Sequence, residues 1–205
     1  MLKNTLTEVL ELQTRYTDRD TAPMQRRGEL VRNSIPSLLR DWGVRPVADG
    51  GWVPFDAAVH GKDGIGRKSQ VPWVRIHSVE LSPSSTTGWY LVYLFAGDGG
   101  AVYLTLMHAS TNADHDSLIP RSHGELAEHV KWGEQVIGGW IEDTPRLVRS
   151  IVLHAPRSKV AEAYEASTLC AFRYPVHDIP PEHELLADLR AMLVALARIY
   201  EHVPR

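Results

Sequence analysis

A basic, glycine-spaced loop at residues 61–69, with the sequence GKDGIGRKS, contains the residue types that bind phosphate. Glycines let the backbone approach an anion closely, and hydroxyl and cationic side chains supply donors. The loop is not a P-loop, because the Gly-Lys-Ser/Thr ending is absent, and it lacks the third glycine of a dinucleotide fingerprint. Its spacing alone fits either a phosphate-binding loop or an ordinary solvated turn. The side chains that we expect to contact phosphate are Lys62, Arg67, Lys68 and Ser69.

A second candidate is residues 172–178, with the sequence FRYPVHD. The pattern alone predicts a strand that ends at a Tyr-Pro turn, with Tyr174 half in the core, because a residue before proline favours extended backbone. Arg173 and His177 flank this turn and could make polar contacts.

A third candidate is the polar connection at residues 111–123, since connections of this length are usually functional or mobile. Arg121, Ser122 and His123 come directly before a predicted helix, whose N-terminal amides favour an anion. His108, His115 and His123 are not at metal-ligand spacing, and neither a His-Glu-x-x-His motif nor a cysteine pair is present. We therefore predict no metal site and no cofactor.

The sequence does not predict an enzyme. Acidic residues are scattered rather than clustered with lysine as in metal-dependent nucleases, and no serine lies in a Gly-x-Ser-x-Gly frame. Cys170 lies in an apolar strand and is most simply a core residue. We expect a binding domain.

Bulk composition limits the kinds of partner. The 205 residues carry a formal net charge of -3, which excludes a uniformly basic surface and leaves room only for a local basic patch. A single cysteine excludes an internal disulfide and fits a reducing cytoplasm. No apolar run is long enough to span a membrane. We expect a cytoplasmic protein without a membrane partner.

Hydrophobic periodicity predicts an α+β fold, with a mostly antiparallel sheet flanked by helices. The expected elements are an N-terminal helical pair at residues 2–16 and 24–42, strands at 52–55, 73–79, 89–95, 101–107, 147–153 and 169–174, helices from 122 and at 159–166, and a long C-terminal helix at 182–202. Ser122 and Glu125 have the spacing of a capping box. We expect one domain over residues 1–205, with a helical part at 1–45 and a sheet-centred core at 46–205.

Four motifs follow one another between residues 64 and 106: Gly-x-Gly, Val-Pro-Trp, Gly-Trp-Tyr-x-Val-Tyr-Leu-Phe and Val-Tyr-Leu-x-Leu. This order resembles the N-terminal domain family of McrB-like, modification-dependent restriction proteins, and the resemblance extends from about residue 51 through residues 158–200. It implies a non-catalytic reader of modified double-stranded DNA that works with a separate nuclease domain or subunit. It also favours phosphate contact for the loop at 61–69.

A narrower resemblance concerns sulfur-binding domains, which recognise phosphorothioate DNA in type IV restriction systems. In those domains a Tyr-Pro pair lines a shallow apolar cavity for the sulfur, and Tyr174-Pro175 matches it, with Val176 beside the pair. Sulfur is polarisable and accepts hydrogen bonds poorly, so an apolar cavity favours it over a phosphate oxygen by about 1–3 kcal/mol. On this interpretation Arg173 and His177 supply polar contacts.

Two alternatives stay open. A reader of methylated cytosine would extrude the base into a deep aromatic cavity, and Trp52 or Trp73 could stack on it, although the sequence favours core positions for both. A protein-assembly module of a restriction complex would not contact modified DNA, and the balanced charge is compatible with that role.

Overall fold

Antiparallel strands form the centre of the fold. A computed structural model of the chain describes residues 1–64, 66–114, 117–139, 141 and 144–203. The strands are β1 (Ala57–Lys62), β2 (Trp73–Ser78), β3 (Trp89–Phe95), β4 (Ala101–His108), β5 (Thr111–Asp114), β6 (Ser117–Pro120), β7 (Leu147–Val148) and β8 (Thr168–Pro175). The main sheet has the order β1-β2-β3-β4-β8-β7, with every neighbouring pair antiparallel, and β5 pairs with β6 in a separate hairpin.

Helices pack around this sheet, and they include elements near both ends of the chain. They are α1 (Leu2–Gln13), α2 (Ala22–Glu29), α3 (Ile35–Asp41), α4 (His123–Ile137), α5 (Lys159–Ala166) and α6 (Glu182–His202). The predicted α+β fold, with an antiparallel sheet, an N-terminal helix and a long C-terminal helix, is confirmed.

The two faces of the main sheet bury different sets of side chains. The first face packs against α1, α3, α4 and α6 in a large core that includes Tyr93, Phe172 and Leu189. The second face forms a smaller core with residues 151–155 and α5, in which Val92 and Leu153 are buried. The segment at 151–155 and α5 cover only part of the second face. A cavity lies beside β1 and β2, where this face is not covered.

A π-helical turn, Leu30–Ser34, joins α2 to α3 and fixes the position of β1. Pro36 follows it and has no N–H to donate to the preceding turn, so the regular helical ladder is interrupted here. The backbone of Gly61 lies against this turn, and a Cβ there would be 1.8 Å from the Val31 carbonyl oxygen. Glycine therefore allows β1 to approach the helix at the start of the basic loop.

Three predicted elements differ from the structure. The segment at 52–55 contributes only an isolated bridge at Val53, and the first strand begins at Ala57. The segment at 147–153 forms a strand only at Leu147–Val148, because residues 151–155 cross the second face of the sheet instead of pairing at its edge. The polar connection after residue 110 contains the hairpin of β5 and β6. The alternation of apolar and polar side chains that predicts a strand is not visible in this segment, because many of its residues are polar.

Candidate nucleic-acid interface

A cavity of about 490 Å³ lies on the open part of the second face. Its lining combines flat aromatic rings with positive charge, and no carboxylate is among the described residues that line it. The aromatic residues are Tyr16, Trp73 and Tyr164, and the cationic residues are Lys62, Arg67 and Arg157. Rings of this kind stack on a planar base, and the cations suit a phosphate backbone at the rim.

A small recess of about 10 Å³ continues the cavity inward. The cavity and the recess share Trp73, Ser85 and Tyr164 in their walls. The recess has room for about one water-sized group. Its remaining walls are Arg75, Tyr90, Val92, Leu94 and Met107, most of them apolar.

Strand alternation in β2 presents Trp73 to the cavity. Trp73 and Arg75 lie on the second face, whereas Val74 and Ile76 are buried in the core of the first. Tyr164 reaches the same cavity from α5. Burial raises the pKa of Tyr164 to about 12, so its hydroxyl stays neutral at pH 7 and can form hydrogen bonds.

The loop at residues 61–69 is anchored by a buried ion pair. Asp63 Oδ1 lies 2.6 Å from Arg27 Nη2, and neither side chain is exposed to solvent. Lys68 Nζ lies 3.5 Å from Asp63 and 2.9 Å from Asp20, so its charge has two carboxylate partners. Lys68 was expected to contact phosphate, and in the structure these two carboxylates already pair with its ammonium group. The Ser69 hydroxyl is also used internally, since it donates to the Val71 carbonyl at 2.9 Å.

The anchored loop leaves Lys62 and Arg67 at the cavity. Arg67 is exposed, and neither residue forms an ion pair with another described residue. Gly64 has φ of 106°, and a Cβ there would lie 2.1 Å from the Arg67 carbonyl oxygen, so glycine is required at this turn. Of the four loop residues expected to contact phosphate, Lys62 and Arg67 line the cavity with charges that no carboxylate of the described residues pairs.

The hydrogen-bonding groups at the start of α4 are already used by contacts within the protein. Ser122 and Glu125 form the predicted capping box, in which the Glu125 amide donates to Ser122 Oγ at 3.3 Å and Ser122 N donates to the Glu125 carboxylate at 3.0 Å. Arg121 donates to the Thr86 carbonyl at 3.3 Å and lies 3.6 Å from Glu125. Ser122 and Arg121 are therefore engaged, while His123 is exposed beside them. These residues do not line the aromatic cavity.

The Tyr-Pro pair lies elsewhere. Tyr174 is fully buried in the first core, where its hydroxyl donates to Asp188 Oδ2 at 3.1 Å, and burial raises its pKa well above the ordinary value. Strand alternation places Phe172 and Tyr174 inward and Arg173 outward. Tyr174 thus does not line a surface cavity in this structure, which corrects the expectation from the sequence. Its neighbours Pro175 and Val176 are half-buried, and Arg173 and His177 are exposed.

A hydrogen-bonded chain joins Arg75 and His77 of β2 to His60 of β1. His77 Nδ1 lies 2.9 Å from the Ser78 carbonyl and must donate to it, so His77 Nε2 accepts from Arg75 at 3.2 Å and from His60 Nδ1 at 2.9 Å. Burial and the nearby Arg75 lower the pKa of His77 to about 4. His77 is therefore neutral at pH 7 and cannot bind phosphate as a cation.

No group of three or more histidine, cysteine, aspartate or glutamate side chains that could hold a metal ion is found among the described residues. His115, considered above as a metal ligand, lies outside them. None of the described helices combines the length and the apolar composition that a membrane-spanning helix needs.

The comparison with protein families agrees with the resemblance seen in the motifs. A family model described as MrcB-like, N-terminal domain matches residues 11–202. The chain belongs to this family. Comparisons of the MrcB-like domain with curated proteins and with solved structures found no match.

The family gives the MrcB-like domain a DNA-recognition role in restriction proteins, as a binding module rather than a catalytic one. Sequence reasoning found the loop and noted Trp73, but it missed Tyr16, Tyr164 and Arg157. These three residues come from distant parts of the chain and carry no local motif. The basic loop at residues 61–69 and the Val-Pro-Trp motif at residues 71–73 were the signals in the sequence that pointed to this cavity.

Proposed function

We propose that the MrcB-like domain recognises DNA containing methylated cytosine by extruding the modified base into the aromatic cavity. The observation that carries the proposal is the cavity of about 490 Å³, which has Trp73 and Tyr164 in its wall and cations at its rim. Enzymes and readers that bind an extruded base hold it by stacking on aromatic side chains, with the backbone held by cations. An aromatic cavity that is separate from the Tyr-Pro pair is the feature that distinguishes this function from phosphorothioate reading.

The inner recess supports a small modification on the base. It has room for about one water-sized group, and Val92, Leu94 and Met107 give it apolar walls. A methyl group fits such a recess and gains from burial against apolar side chains. The described residues around Tyr174 do not provide a comparable surface cavity for sulfur, because the Tyr174 ring is enclosed in the core.

The proposal is tested by gel-shift titrations with four matched duplexes, which carry 5-methylcytosine, a phosphorothioate, both modifications or neither. We expect the two methylated duplexes to bind about tenfold or more tightly than the other two, with no added effect of sulfur. A 2-aminopurine placed next to the modified base should gain fluorescence as the stack opens. Preference for the phosphorothioate would overturn the proposal in favour of sulfur reading, and equal weak binding to all four would favour an assembly module.

Replacing Arg67 with alanine should weaken binding to all duplexes by a similar factor, because an exposed rim cation contacts phosphate and not base edges. Removing one phosphate contact should reduce the slope of log K against log salt by about 1. The measurement is affinity across a salt series. Arg173→Ala is the matched control, since Arg173 is also exposed but does not line the cavity. An equal loss in both variants would contradict the assignment of Arg67 to the interface.

A further inference from the structure

His60 lies on the same face of the sheet as the aromatic cavity. In the pairing of β1 with β2, Lys62 is opposite Trp73 and His60 is opposite Arg75, so all four side chains lie on the second face. Lys62 and Trp73 line the cavity, and His60 is exposed two residues away from Lys62 along β1. Two residues of a strand span about 7 Å, which is roughly the rise of two base pairs. His60 therefore lies at the distance of a base pair that flanks one held at the cavity.

Hydrogen bonds inside the protein fix which ring nitrogen of His60 carries the hydrogen. His77 Nδ1 donates to the Ser78 carbonyl at 2.9 Å, so the neutral His77 ring has only an acceptor at Nε2. His60 Nδ1 lies 2.9 Å from that acceptor and must donate to it. Burial and the charges of Arg75 and Arg40 lower the pKa of His60, so its ring is also neutral at pH 7. The hydrogen of His60 is therefore on Nδ1, and Nε2 carries a lone pair.

This lone pair gives the exposed end of His60 a definite chemical preference. Among the described residues, only His77 forms a hydrogen bond with the His60 ring, and it uses Nδ1. A neutral Nε2 cannot donate to phosphate oxygens, which are themselves acceptors. It can accept from the donors on base edges, which are the exocyclic amino groups. These are N4 of cytosine and N6 of adenine in the major groove, and N2 of guanine in the minor groove.

We infer that His60 reads an exocyclic amino group on a base that flanks the extruded cytosine. The inference rests on the proposed function. It gives the MrcB-like domain a preference for sequence context in addition to the modification, because phosphate contacts from Lys62 and Arg67 carry no sequence information. His77 is a positioning residue in this arrangement, since it holds the hydrogen of His60 on Nδ1.

The test removes amino groups one at a time from 5-methylcytosine duplexes. Selection from duplexes randomised at the two base pairs on each side of the modified base gives the preferred context. In that context purine replaces adenine, inosine replaces guanine and 2-pyrimidinone replaces cytosine, so each duplex lacks one amino group in a known groove. We expect the wild-type domain to lose about fivefold or more in affinity for one of these duplexes. His60→Phe, which keeps a ring without the acceptor, should bind that duplex and its parent within about twofold.

The matched control is His183→Phe. His183 is also exposed, but it lies on α6, which packs on the opposite face of the sheet, so this variant should keep the full loss. The assignment of His60 is wrong if the wild-type domain loses affinity for none of the duplexes, or if folded His60→Phe loses as much as the wild type. The proposed function fails separately if the wild-type domain binds the parent duplex and its unmethylated counterpart equally.

A measurement on the wild-type domain without DNA checks the chemical basis of the inference. Nitrogen-15 shifts of a histidine ring distinguish a nitrogen that carries hydrogen from one that carries a lone pair. At pH 7 the His60 ring should have its hydrogen on Nδ1 and a lone pair on Nε2. A hydrogen on Nε2 would overturn the inference whatever the DNA-binding result, because that nitrogen would then be a donor.

Discussion

Replacing Trp73 with alanine is expected to abolish the preference of the MrcB-like domain for methylated over unmodified DNA. Trp73 contributes to the walls of both the cavity and the recess, so it touches the base and the modification in the proposed complex. Stacking of a base on an aromatic side chain contributes about 1–3 kcal/mol, which corresponds to a loss of about 5-fold to 150-fold in affinity. The measurement is the ratio of dissociation constants for a methylated and a plain duplex.

The matched control is Trp52→Ala. Trp52 is also half-buried, but it packs on the core of the first face, with Arg190 over its ring at 5.3 Å. This variant should lose stability and keep the methyl preference. Trp73→Phe, which retains a ring face, should recover much of the preference. A folded Trp73→Ala domain that still distinguishes methylated from plain DNA would show that the cavity is not the reading site.

Removing the carboxylate of Asp63 should have the largest effect on stability. Asp63 and Arg27 form an ion pair with no solvent exposure on either side, and Arg32 and Lys68 also lie within 3.6 Å of the carboxylate. Asp63→Ala leaves Arg27 buried with an uncompensated charge, and breaking a buried pair in this way lowers the free energy of unfolding by about 3–5 kcal/mol. Urea unfolding measures the change.

The nearby pair of Arg26 and Glu8 provides the control. Its atoms are 2.7 Å apart, but both side chains are exposed, so Glu8→Ala should change stability little. The double variant Arg27→Met with Asp63→Leu should recover most of the lost stability, because apolar side chains replace both charges. If Asp63→Ala is no more destabilising than Glu8→Ala, the pair does not anchor the loop as we describe. A folded Asp63→Ala domain should also bind DNA more weakly, since the loop that carries Arg67 loses its anchor.

Local sequence signals determined much of the fold. The spacing of Ser122 and Glu125 predicted the start of α4, and the periodicity of residues 89–95 and 101–107 predicted the strands β3 and β4. The apolar periodicity of residues 182–202 predicted α6. These features depend on neighbours within a few residues, so the sequence contains the information directly. The order of motifs at residues 64–106 likewise placed the chain in its family, which the family comparison confirmed.

Which residues meet at the candidate site depends on tertiary structure. Lys68 and Arg67 are adjacent and chemically alike, but only the fold brings Asp63 and Asp20 to Lys68 and leaves Arg67 at the rim. Tyr174 and Trp73 are both aromatic residues on strands that carry large side chains on both faces. Which face is covered depends on where α6 and α5 pack, and that is set by contacts between residues far apart in sequence. Alternation specifies that neighbouring side chains point in opposite directions, whereas only the packing of distant helices decides which direction is the interior.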